Sequence, residues 1–393
     1  YAQLGTTAPT HESVEGTPIQ NAFRRSLNLA KVQPEDTFIS LGGDSLSYVQ
    51  LGMELERHLG YLPKHWEQIA IADLEKLTPQ HQDYAPIETS VFLRAVSISA
   101  VVAGHAGLFS GIDGGSTLLL LIAGANLARF QSQALFQGRF LQPIASLLKN
   151  LLVPYSVISV AYLAWKRDPD FSVIFMFSNF VSPFVNAIFP VWFIDLLVQM
   201  IVGISILFSV RSIRNFARVA PWKFGLGLVA LGVLTNRLIP FVWNTEALFN
   251  RLPHTLGWVF MFGWAVQFAS DRSRRIVTSG VLSVIALLLL GVQDPQMWWL
   301  LLGGNLLLWL PEIAIPRLVK SPIQVLSAAA YYIYLTHMIF IHAVIHTIGD
   351  LPWVSEIVAL SGGVLIWLGL RSLQQWWTKR SSDRGVELSG AGI

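Results

Sequence analysis

The sequence lacks cysteine and has little charge. Of its 393 residues, 27 are Lys or Arg and 24 are Asp or Glu, a charged share of 13% against roughly 25% in an ordinary soluble protein. Without cysteine the polypeptide has no disulfide, no thiolate metal ligand and no cysteine nucleophile, so any sulfur chemistry needs an added group. The low charge and an apolar share of 53% exclude a soluble enzyme, a disordered chain, a coiled coil and a nucleic-acid binder, although the isoelectric point is near 9.1. The composition indicates a membrane protein.

Charge is distributed unevenly along the chain, which indicates two domains. Residues 1–80 contain ten acidic and six basic side chains, whereas residues 81–393 contain 14 acidic and 21 basic ones. The first segment has no apolar run long enough to span a bilayer, while from Ser90 onward such runs follow one another closely. Because the chain starts at Tyr1 without a basic-then-apolar secretion signal, we expect a fragment or a processed product.

The N-terminal segment predicts a small bundle of helices. Thr17 and Pro18 have the residue types of an N-cap and a first helical position, so a first helix should begin there. A long loop follows and leads into a second amphipathic helix that should end at Gly60. A third helix is predicted over residues 66–77.

The segment 38–46, FISLGGDSL, precedes the second helix and has two interpretations. In the first it is a loop ending in a helix cap, since Asp44 and Ser45 both accept hydrogen bonds from free backbone N–H groups. In its helix, long loop, helix, helix context it also resembles the attachment motif of carrier proteins, closer to the peptidyl-carrier than to the fatty-acid-carrier pattern. This resemblance covers residues 17–78.

The carrier resemblance implies that Ser45, with Asp44 beside it, holds a covalent 4′-phosphopantetheine arm whose thiol binds an acyl or aminoacyl group as a thioester. It also implies two partners, a phosphopantetheinyl transferase and an upstream adenylating or acyl-loading domain or enzyme. A helix N-terminus favours the charge of the phosphodiester. Glu54 and Glu56 add to an acidic face, which suits either partner enzymes or a solvated helix surface.

Ten apolar segments after the carrier domain are long enough for transmembrane helices. They are 90–110, 114–128, 144–165, 191–210, 222–241, 254–270, 276–292, 296–311, 322–347 and 353–373. A further stretch, 171–189, is interrupted by Asn179 and Pro183 and is interpreted as re-entrant or interfacial. With a cytoplasmic N-terminus, 16 of the 21 cations of this segment lie inside, in clusters that contain Arg129, Lys320 and Arg371 among others. Lys166 and Arg167 are the exception. We expect a multi-pass protein of a bacterial-type inner (plasma) membrane, in contact with membrane lipids and with both termini cytoplasmic.

Titratable side chains inside the predicted spans are candidates for function, because inserting a charge costs about 2.5–3.5 kcal/mol. Arg94 and His105 are eleven residues apart in the first span, hence about 20° apart around a helix and about 16 Å apart along it. Either both line one functional face, or Arg94 reaches the membrane surface and His105 bonds a neighbouring helix.

Three histidines lie near the end of the membrane segment. His337, His342 and His346 cannot all line one cavity, and without carboxylates at matched spacing they do not predict a metal site. We select His337 as the site residue. Arg237 and Asp195 lie toward the outer halves of their spans, where they either contact an acceptor or form a structural ion pair.

The motifs of the membrane segment, taken in order over residues 88–373, resemble the membrane-bound acyltransferase-3 family. They are the pair Arg94 and His105, the pair Gly114 and Gly115, PVWF at 190–193 and YYIYLTH at 331–337. That family moves acyl groups to sugars and other extracytoplasmic acceptors. The resemblance implies His105 as the catalytic histidine and Arg94 as a cation that binds or orients the donor. The Leu-rich second span and Asp195 depart from the family pattern.

Together these features predict an all-α protein, with a small helical-bundle carrier domain followed by a polytopic membrane domain of about ten transmembrane helices. The predicted boundaries are 1–16 linker, 17–78 carrier domain, 79–89 linker, 90–373 membrane domain and 374–393 cytoplasmic tail. The predicted function is transfer of an acyl group from Ser45 to a hydroxyl of an extracytoplasmic or lipid-linked saccharide-type acceptor. His105 acts as a general base or through an acyl-imidazole. The alternatives are an amine acceptor, a transporter with a regulatory carrier domain, and an anchor that displays the carrier.

Overall fold

The computed structural model describes residues 16–79, 84–109, 111, 114–167, 171–181, 191–244 and 251–390. Within these ranges the chain is helical apart from one two-stranded sheet. The prediction of an all-α fold, a helical carrier followed by long apolar helices, is confirmed.

The N-terminal domain begins with the elements α1 (Pro18–Leu27), α2 (Ser45–Leu59), a 3₁₀ turn (Trp66–Gln68) and α3 (Ile71–Glu75). Thr17 caps α1 as predicted, because its side chain accepts a hydrogen bond from the N–H of Gln20 at 3.2 Å. The second helix ends at Gly60, whose φ of 77° is one that glycine adopts without strain. Large buried aromatic rings fill the centre of the domain, with Phe23 and Phe38 fully buried.

The third predicted helix, 66–77, is shorter than expected. Ile69 is extended and interrupts the helix between the 3₁₀ turn and α3. The N–H of Ile71 then donates to the carbonyl of Asp36, and that of Ala72 to the carbonyl of Pro34. In a continuous helix these two N–H groups would donate to carbonyls of the preceding turn. Here they donate to carbonyls of the long loop between α1 and α2.

From residue 84 onward the chain forms what we call the membrane domain (84–390). Its elements are β1 (Tyr84–Glu88), α4 (Thr89–His105), α5 (Gly115–Phe136), α6 (Gln142–Leu147), a π-helical turn (Leu148–Leu152), α7 (Val153–Lys166), α8 (Phe171–Ile174), α9 (Ser178–Val181), α10 (Trp192–Ser209), α11 (Arg211–Val219), α12 (Pro221–Val242), α13 (Pro253–Gln267), α14 (Arg272–Leu289), α15 (Pro295–Trp309), β2 (Glu312–Pro316), α16 (Arg317–Thr347) and α17 (Pro352–Gly390).

Each of the ten predicted spans overlaps one helix or, for 144–165, the joined α6 and α7. Among the residues that the structure describes, five stretches are long and apolar enough to cross a bilayer: Gln142–Ala164, Trp192–Ser209, Pro221–Val242, Arg317–Thr347 and Pro352–Leu373. These five apolar helices indicate a membrane protein. The number of ten spans stays a prediction.

Two predicted segments outside the ten spans are helical in part. Within 171–189 the helices α8 and α9 have four residues each, too few to cross a bilayer, and residues 182–189 lie outside the described part of the chain. The segment 374–390 of the predicted tail continues α17 as helix.

The second half of the predicted linker 79–89 is a strand. β1 pairs antiparallel with β2, with Ile87 opposite Ile313. Because α4 follows β1 directly and α16 follows β2 directly, the pairing brings the first turns of α4 and α16 to the same end of the bundle.

Helices α5 and α13 approach each other closely at two glycines. A Cβ at Gly124 would lie 1.8 Å from the carbonyl oxygen of Phe260, and one at Gly263 would lie 2.1 Å from that of Leu121. Small residues that bring two backbones together are typical of helix packing in membranes, where the hydrophobic effect does not drive helices together.

Candidate functional site

Ser45 is the first residue of α2 and directly follows the loop with the double glycine. Gly42 has a φ of 76°, in the left-handed region that favours glycine. A Cβ at Gly43 would lie 2.3 Å from the ring of Phe38, so that ring needs glycine as its neighbour. The packing of the Phe38 ring against Gly43 therefore explains the spacing between the aromatic residue, the two glycines and the serine. This spacing places Ser45 at the start of the helix.

Asp44 caps α2 and also contacts the membrane domain. Its carboxylate accepts hydrogen bonds from the N–H of Ser47 at 2.9 Å and from the side-chain amide of Asn150. One residue further along, Nη1 of Arg94 donates to the carbonyl oxygen of Ser45 at 2.8 Å. Arg94 is only 6% exposed. The structure thus brings three of the predicted site residues, Asp44, Ser45 and Arg94, together at the junction of the two domains.

The acidic face predicted on α2 is turned toward cations of the membrane domain. Glu56 accepts hydrogen bonds from Lys320 at 2.5 Å and from Gln324 at 3.0 Å, both on α16. Glu54 accepts from Arg371 on α17. Both carboxylates are largely buried by these contacts. The sequence left two alternatives for this face, a free surface for partner enzymes or a solvated surface. In this structure the face instead contacts the membrane domain.

A third ion-pair cluster centres on Arg129 of α5. Its guanidinium contacts Glu67 of the carrier domain at 2.8 Å and Glu88 of β1 at 2.6 Å. It also lies over the ring of Tyr48, 4.7 Å from the ring centre. Since Glu67 is almost fully buried, Arg129 supplies the positive charge that its carboxylate requires.

The protonation states in this cluster follow from burial and charge. Burial alone would raise the pKa of Glu88, but the charge of Arg129 and hydrogen bonds from Ser90 and Tyr48 lower that pKa below its usual value. Burial, followed by the charge of Glu88, raises the pKa of the Tyr48 hydroxyl well above its usual value. Tyr48 therefore stays protonated and donates to Glu88 at 2.6 Å.

A largely apolar cavity of about 170 Å³, here called the Ser45 cavity, lies beside the attachment residue. Residues that line it include Ser45, Arg94, Ile122, Asn150, Phe193 and Tyr334. The carrier domain and the membrane domain both contribute to its wall. It extends from the start of α2 to the middle of α16.

His105 and His337 form a pair. Nε2 of His337 lies 3.0 Å from Nδ1 of His105, and the two rings are stacked with centres 5.0 Å apart. His337 is fully buried, whereas His105 is exposed. The two histidines selected from the sequence thus meet although 232 positions separate them in the chain.

The contacts of His337 determine which nitrogens carry protons in the neutral pair. Nδ1 of His337 lies 2.7 Å from the carbonyl oxygen of Tyr334 and 3.1 Å from that of Ile333. A carbonyl only accepts, so Nδ1 of His337 must be the protonated nitrogen and its Nε2 must carry the lone pair. Nδ1 of His105 then donates to that lone pair. The tautomer of His105 that results has its basic lone pair on Nε2.

A second cavity of about 740 Å³, here called the His105 cavity, lies next to the histidine pair. Residues that line it include His105, Trp192, Asn236, Arg237, Gln296 and Tyr334. Its wall is more polar than that of the Ser45 cavity. Tyr334 lines both cavities and therefore lies between them.

The predicted glycine pair forms part of the wall of the His105 cavity. A Cβ at Gly115 would lie 2.5 Å from the carbonyl oxygen of Ser97 on α4. Gly114 has a φ of 140°, and a Cβ there would lie 2.9 Å from Cα of Gln296 on α15. Glycine at both positions lets α5 begin in contact with two other helices.

The remaining predicted residues are divided between the cavity and its surroundings. Arg237 lines the His105 cavity and donates to the carbonyl of Leu288 at 2.6 Å. Asp195 is fully buried and accepts a hydrogen bond from Ser178, so it is held inside the bundle. His342 and His346 stand next to each other further along α16, with ring centres 6.4 Å apart. Pro190 of the PVWF motif lies outside the described residues.

Three residues at the junction and the cavities were not singled out from the sequence. Asn150 and Arg129 contact the carrier domain, and the sequence marks Arg129 only as one of several cations near the membrane surface. Tyr334 was part of a motif but had no assigned role. Its position three residues before His337 places both on one face of α16, which was the available signal.

Comparison with known families identifies the N-terminal domain. The family described as phosphopantetheine attachment site matches residues 18–75. Searches of curated proteins and of solved structures gave no match. Residues 18–75 are therefore a carrier domain, the type of domain on which a serine takes covalent 4′-phosphopantetheine. The resemblance of the membrane domain to the acyltransferase-3 family stays a prediction.

Proposed function

We propose that this chain is a membrane-bound acyltransferase that moves an acyl group from a thioester on its own carrier domain to a hydroxyl of a saccharide-type or lipid-linked acceptor. The observation that carries the proposal is the arrangement of two places along the helices α4 and α16. Ser45 contacts Arg94 in the first half of α4, and His105 at the end of α4 pairs with His337 of α16. Arg94 and His105 lie on α4, and Lys320 and His337 on α16. The same two helices thus bind the carrier domain and hold the histidines.

The residues around Ser45 suit a phosphopantetheine arm. The attachment hydroxyl lies at a helix N-terminus, and the Ser45 cavity runs from it into the membrane domain. Arg94 is buried beside this point and brings positive charge to the place where a phosphodiester would sit. The arm would supply the thiol that the cysteine-free chain lacks, and with it an acyl thioester.

The distance from the attachment site to His105 also suits delivery of the acyl group by the phosphopantetheine arm. Arg94, which contacts Ser45, and His105 are eleven residues apart on α4, so about 16 Å of helix axis separates them. This is a distance of the order that an extended phosphopantetheine chain covers. The apolar wall of the Ser45 cavity suits the methyl and methylene groups of such a chain.

His105 is proposed as the general base, with Nε2 as the atom that takes the proton. His337 holds it in that tautomer through its own Nδ1, which is anchored on backbone carbonyls of α16. The acceptor oxygen bonds to the acyl carbon while its proton moves to Nε2 of His105, and the carbon–sulfur bond breaks. His105 then returns the proton to the departing sulfur, so atoms and charge balance.

The His105 cavity is the proposed place of the acceptor. Its polar lining of Asn236, Arg237 and Gln296 suits the hydroxyl groups of a saccharide better than an acyl chain. The cations that bind the carrier, Arg129, Lys320 and Arg371, belong to clusters predicted on the cytoplasmic side. The carrier is therefore proposed to dock from the cytoplasm, where an acyl-loading partner and a phosphopantetheinyl transferase work.

The test follows the mass of the carrier in native membranes. The wild-type protein should gain the mass of the arm and its acyl group, and lose the acyl mass when acceptor is present. Ser45→Ala should gain no mass and transfer nothing. Ser47→Ala removes a capping hydroxyl next to it but keeps the attachment residue, so it should still gain the arm.

His105→Ala separates loading from transfer. Its Ser45 should become loaded and then keep the acyl group, while acyl transfer to the acceptor stops. Normal discharge from His105→Ala would overturn the proposed function. Transport of a solute that persists in Ser45→Ala, without any acyl transfer by the wild type, would instead favour the transporter alternative.

A further inference from the structure

Tyr334 has a buried hydroxyl that donates its proton to no acceptor among the described residues. The side chain is 4% exposed. Its neighbour on the same helix, Tyr331, is also buried but donates to the carbonyl of Leu151. Buried hydroxyl groups in proteins are normally bonded, so an exception at a cavity wall points to a partner that arrives from outside the chain.

The position of Tyr334 relative to the histidine pair is close and fixed. Its ring centre is 5.8 Å from that of His337, and its backbone carbonyl accepts the Nδ1 proton of His337 at 2.7 Å. Its ring is also 5.2 Å from that of Phe193, in the first turn of α10. Tyr334 lies between the Ser45 cavity and the His105 cavity, which is where donor and acceptor would meet.

We infer that the Tyr334 hydroxyl donates a hydrogen bond to the carbonyl oxygen of the acyl thioester and stabilises the negative charge that develops there during transfer. This inference rests on the proposed function, and it assigns Tyr334 a role that complements that of His105. His105 takes the proton of the acceptor, whereas Tyr334 donates a hydrogen bond to the acyl oxygen. In an environment shielded from water, a fixed donor of this kind contributes more than in solution.

A phenol suits this position among buried apolar groups. It donates a hydrogen bond without carrying a charge, so it needs no counterion when the cavity is empty.

The first test compares Tyr334→Phe with Tyr332→Phe. Both proteins are given an acetylated arm by a phosphopantetheinyl transferase and acetyl-CoA, and loss of the acetyl mass is followed in native membranes. Tyr334→Phe should gain the arm normally but discharge roughly 10²–10³-fold more slowly, the range for loss of one oxyanion donor. Tyr332→Phe removes a hydroxyl from the same helix and should discharge at the wild-type rate. Equal rates for both variants would overturn the inference.

The second test does not depend on turnover. In the His105→Ala background the arm is loaded with a ¹³C-labelled acetyl carbonyl, and its infrared stretch is recorded with and without Tyr334→Phe. A hydrogen bond from the hydroxyl should shift the stretch to lower wavenumber, and Tyr334→Phe should abolish that shift. An identical stretch in both proteins would contradict the inference. Discharge by His105→Ala would instead refute the proposed function, so the two failures are distinguishable.

Discussion

The carrier domain and the membrane domain use their few charges at the same surface but build their interiors differently. The carrier places its acids, Glu54, Glu56 and Glu67, on the side that faces the membrane domain. The membrane domain places Arg129, Lys320 and Arg371 opposite them. Inside, both domains pack aromatic rings, around Phe38 in the carrier and around Trp264 in the membrane domain, and the membrane domain in addition brings helix backbones into contact at glycines.

This comparison explains the charge imbalance between the two segments of the sequence. The net negative carrier and the net positive membrane domain are complementary halves of one interface. The charges along that interface lie around Ser45 and its cavity, while the titratable pair of His105 and His337 lies at the end of α4 and further along α16. In the proposed function, carrier binding and chemistry are therefore separated along α4 and α16.

The largest effect is expected from Arg129→Met. It leaves the carboxylate of Glu67, on the carrier side of the interface, buried without its cation, and removal of one partner of a buried ion pair costs about 3–5 kcal/mol. The free energy of carrier docking should fall by that amount, measured from hydrogen exchange of α2 in the detergent-solubilised protein.

Arg139→Met is the matched control for Arg129→Met. Arg139 is exposed shortly after the end of α5, and its side chain donates a hydrogen bond to Gln137. Its replacement should leave exchange of α2 unchanged. If Arg129→Met left α2 as protected as the control does, charge complementarity would not be what holds the two domains together.

Gly263→Ala should destabilise the membrane domain and leave the carrier fold intact. The added Cβ would meet the backbone of Leu121 at 2.1 Å, which forces α5 and α13 apart and costs about 3 kcal/mol. Gly280→Ala is the control, because a Cβ there meets nothing within 4 Å. Thermal unfolding in detergent measures the difference. Equal midpoints for the two variants would show that close helix contact is not needed at this crossing.

Gly43→Ala tests the carrier interior in the same way, with a smaller expected cost. The added Cβ would meet the ring of Phe38, a side chain that shifts more easily than backbone, so the cost should lie near 1–2 kcal/mol. Gly52→Ala, where a Cβ makes ordinary contact with Leu62, should instead stabilise α2 by up to about 1 kcal/mol. Urea unfolding of the carrier, monitored by hydrogen exchange, should give a lower free energy of unfolding for Gly43→Ala and a higher one for Gly52→Ala. Loss of stability in both variants would contradict this account.

The smallest effect concerns pH. Because the pKa of Glu88 is lowered in the folded protein, against the effect of burial and chiefly by Arg129 of the same domain, its contribution to the free energy of unfolding is complete above the ordinary carboxyl pKa of about 4.3. It is lost as the pH falls through the lower pKa of the folded state. Glu88→Gln lacks this component, so its free energy of unfolding should change less between pH 6 and the acid range. An identical pH profile of stability for wild type and Glu88→Gln would show that Glu88 does not couple folding to pH.

Local features of the fold were predictable from the sequence. The cap at Thr17, the start of α2 after Asp44 and its end at Gly60 each depend on residues within one helical turn, and all three are confirmed. The family match over residues 18–75 confirms the carrier domain, which depended on one short motif in a particular helical context. The helical periodicity also placed Arg94 and His105 on one face of α4.

Contacts between distant segments were not predictable from one sequence. β1 and β2 are separated by more than two hundred residues, and neither has an alternating pattern that signals a strand. A helical wheel gives the direction of His105 but not which helix lies there, so its contact with His337 needed the structure. The same holds for the acids of α2, because their spacing was equally consistent with solvent and with a partner.

The most direct test of the central claim, that the arm on Ser45 leads into the membrane domain toward the histidine pair, is cross-linking from that arm. A pantetheine analogue with a photoreactive end is attached at Ser45 by a phosphopantetheinyl transferase, irradiated in membranes and mapped by mass spectrometry. The account predicts adducts at residues of the Ser45 and His105 cavities, Phe193 and Tyr334 among them. Adducts confined to the carrier domain or to lipid would contradict it.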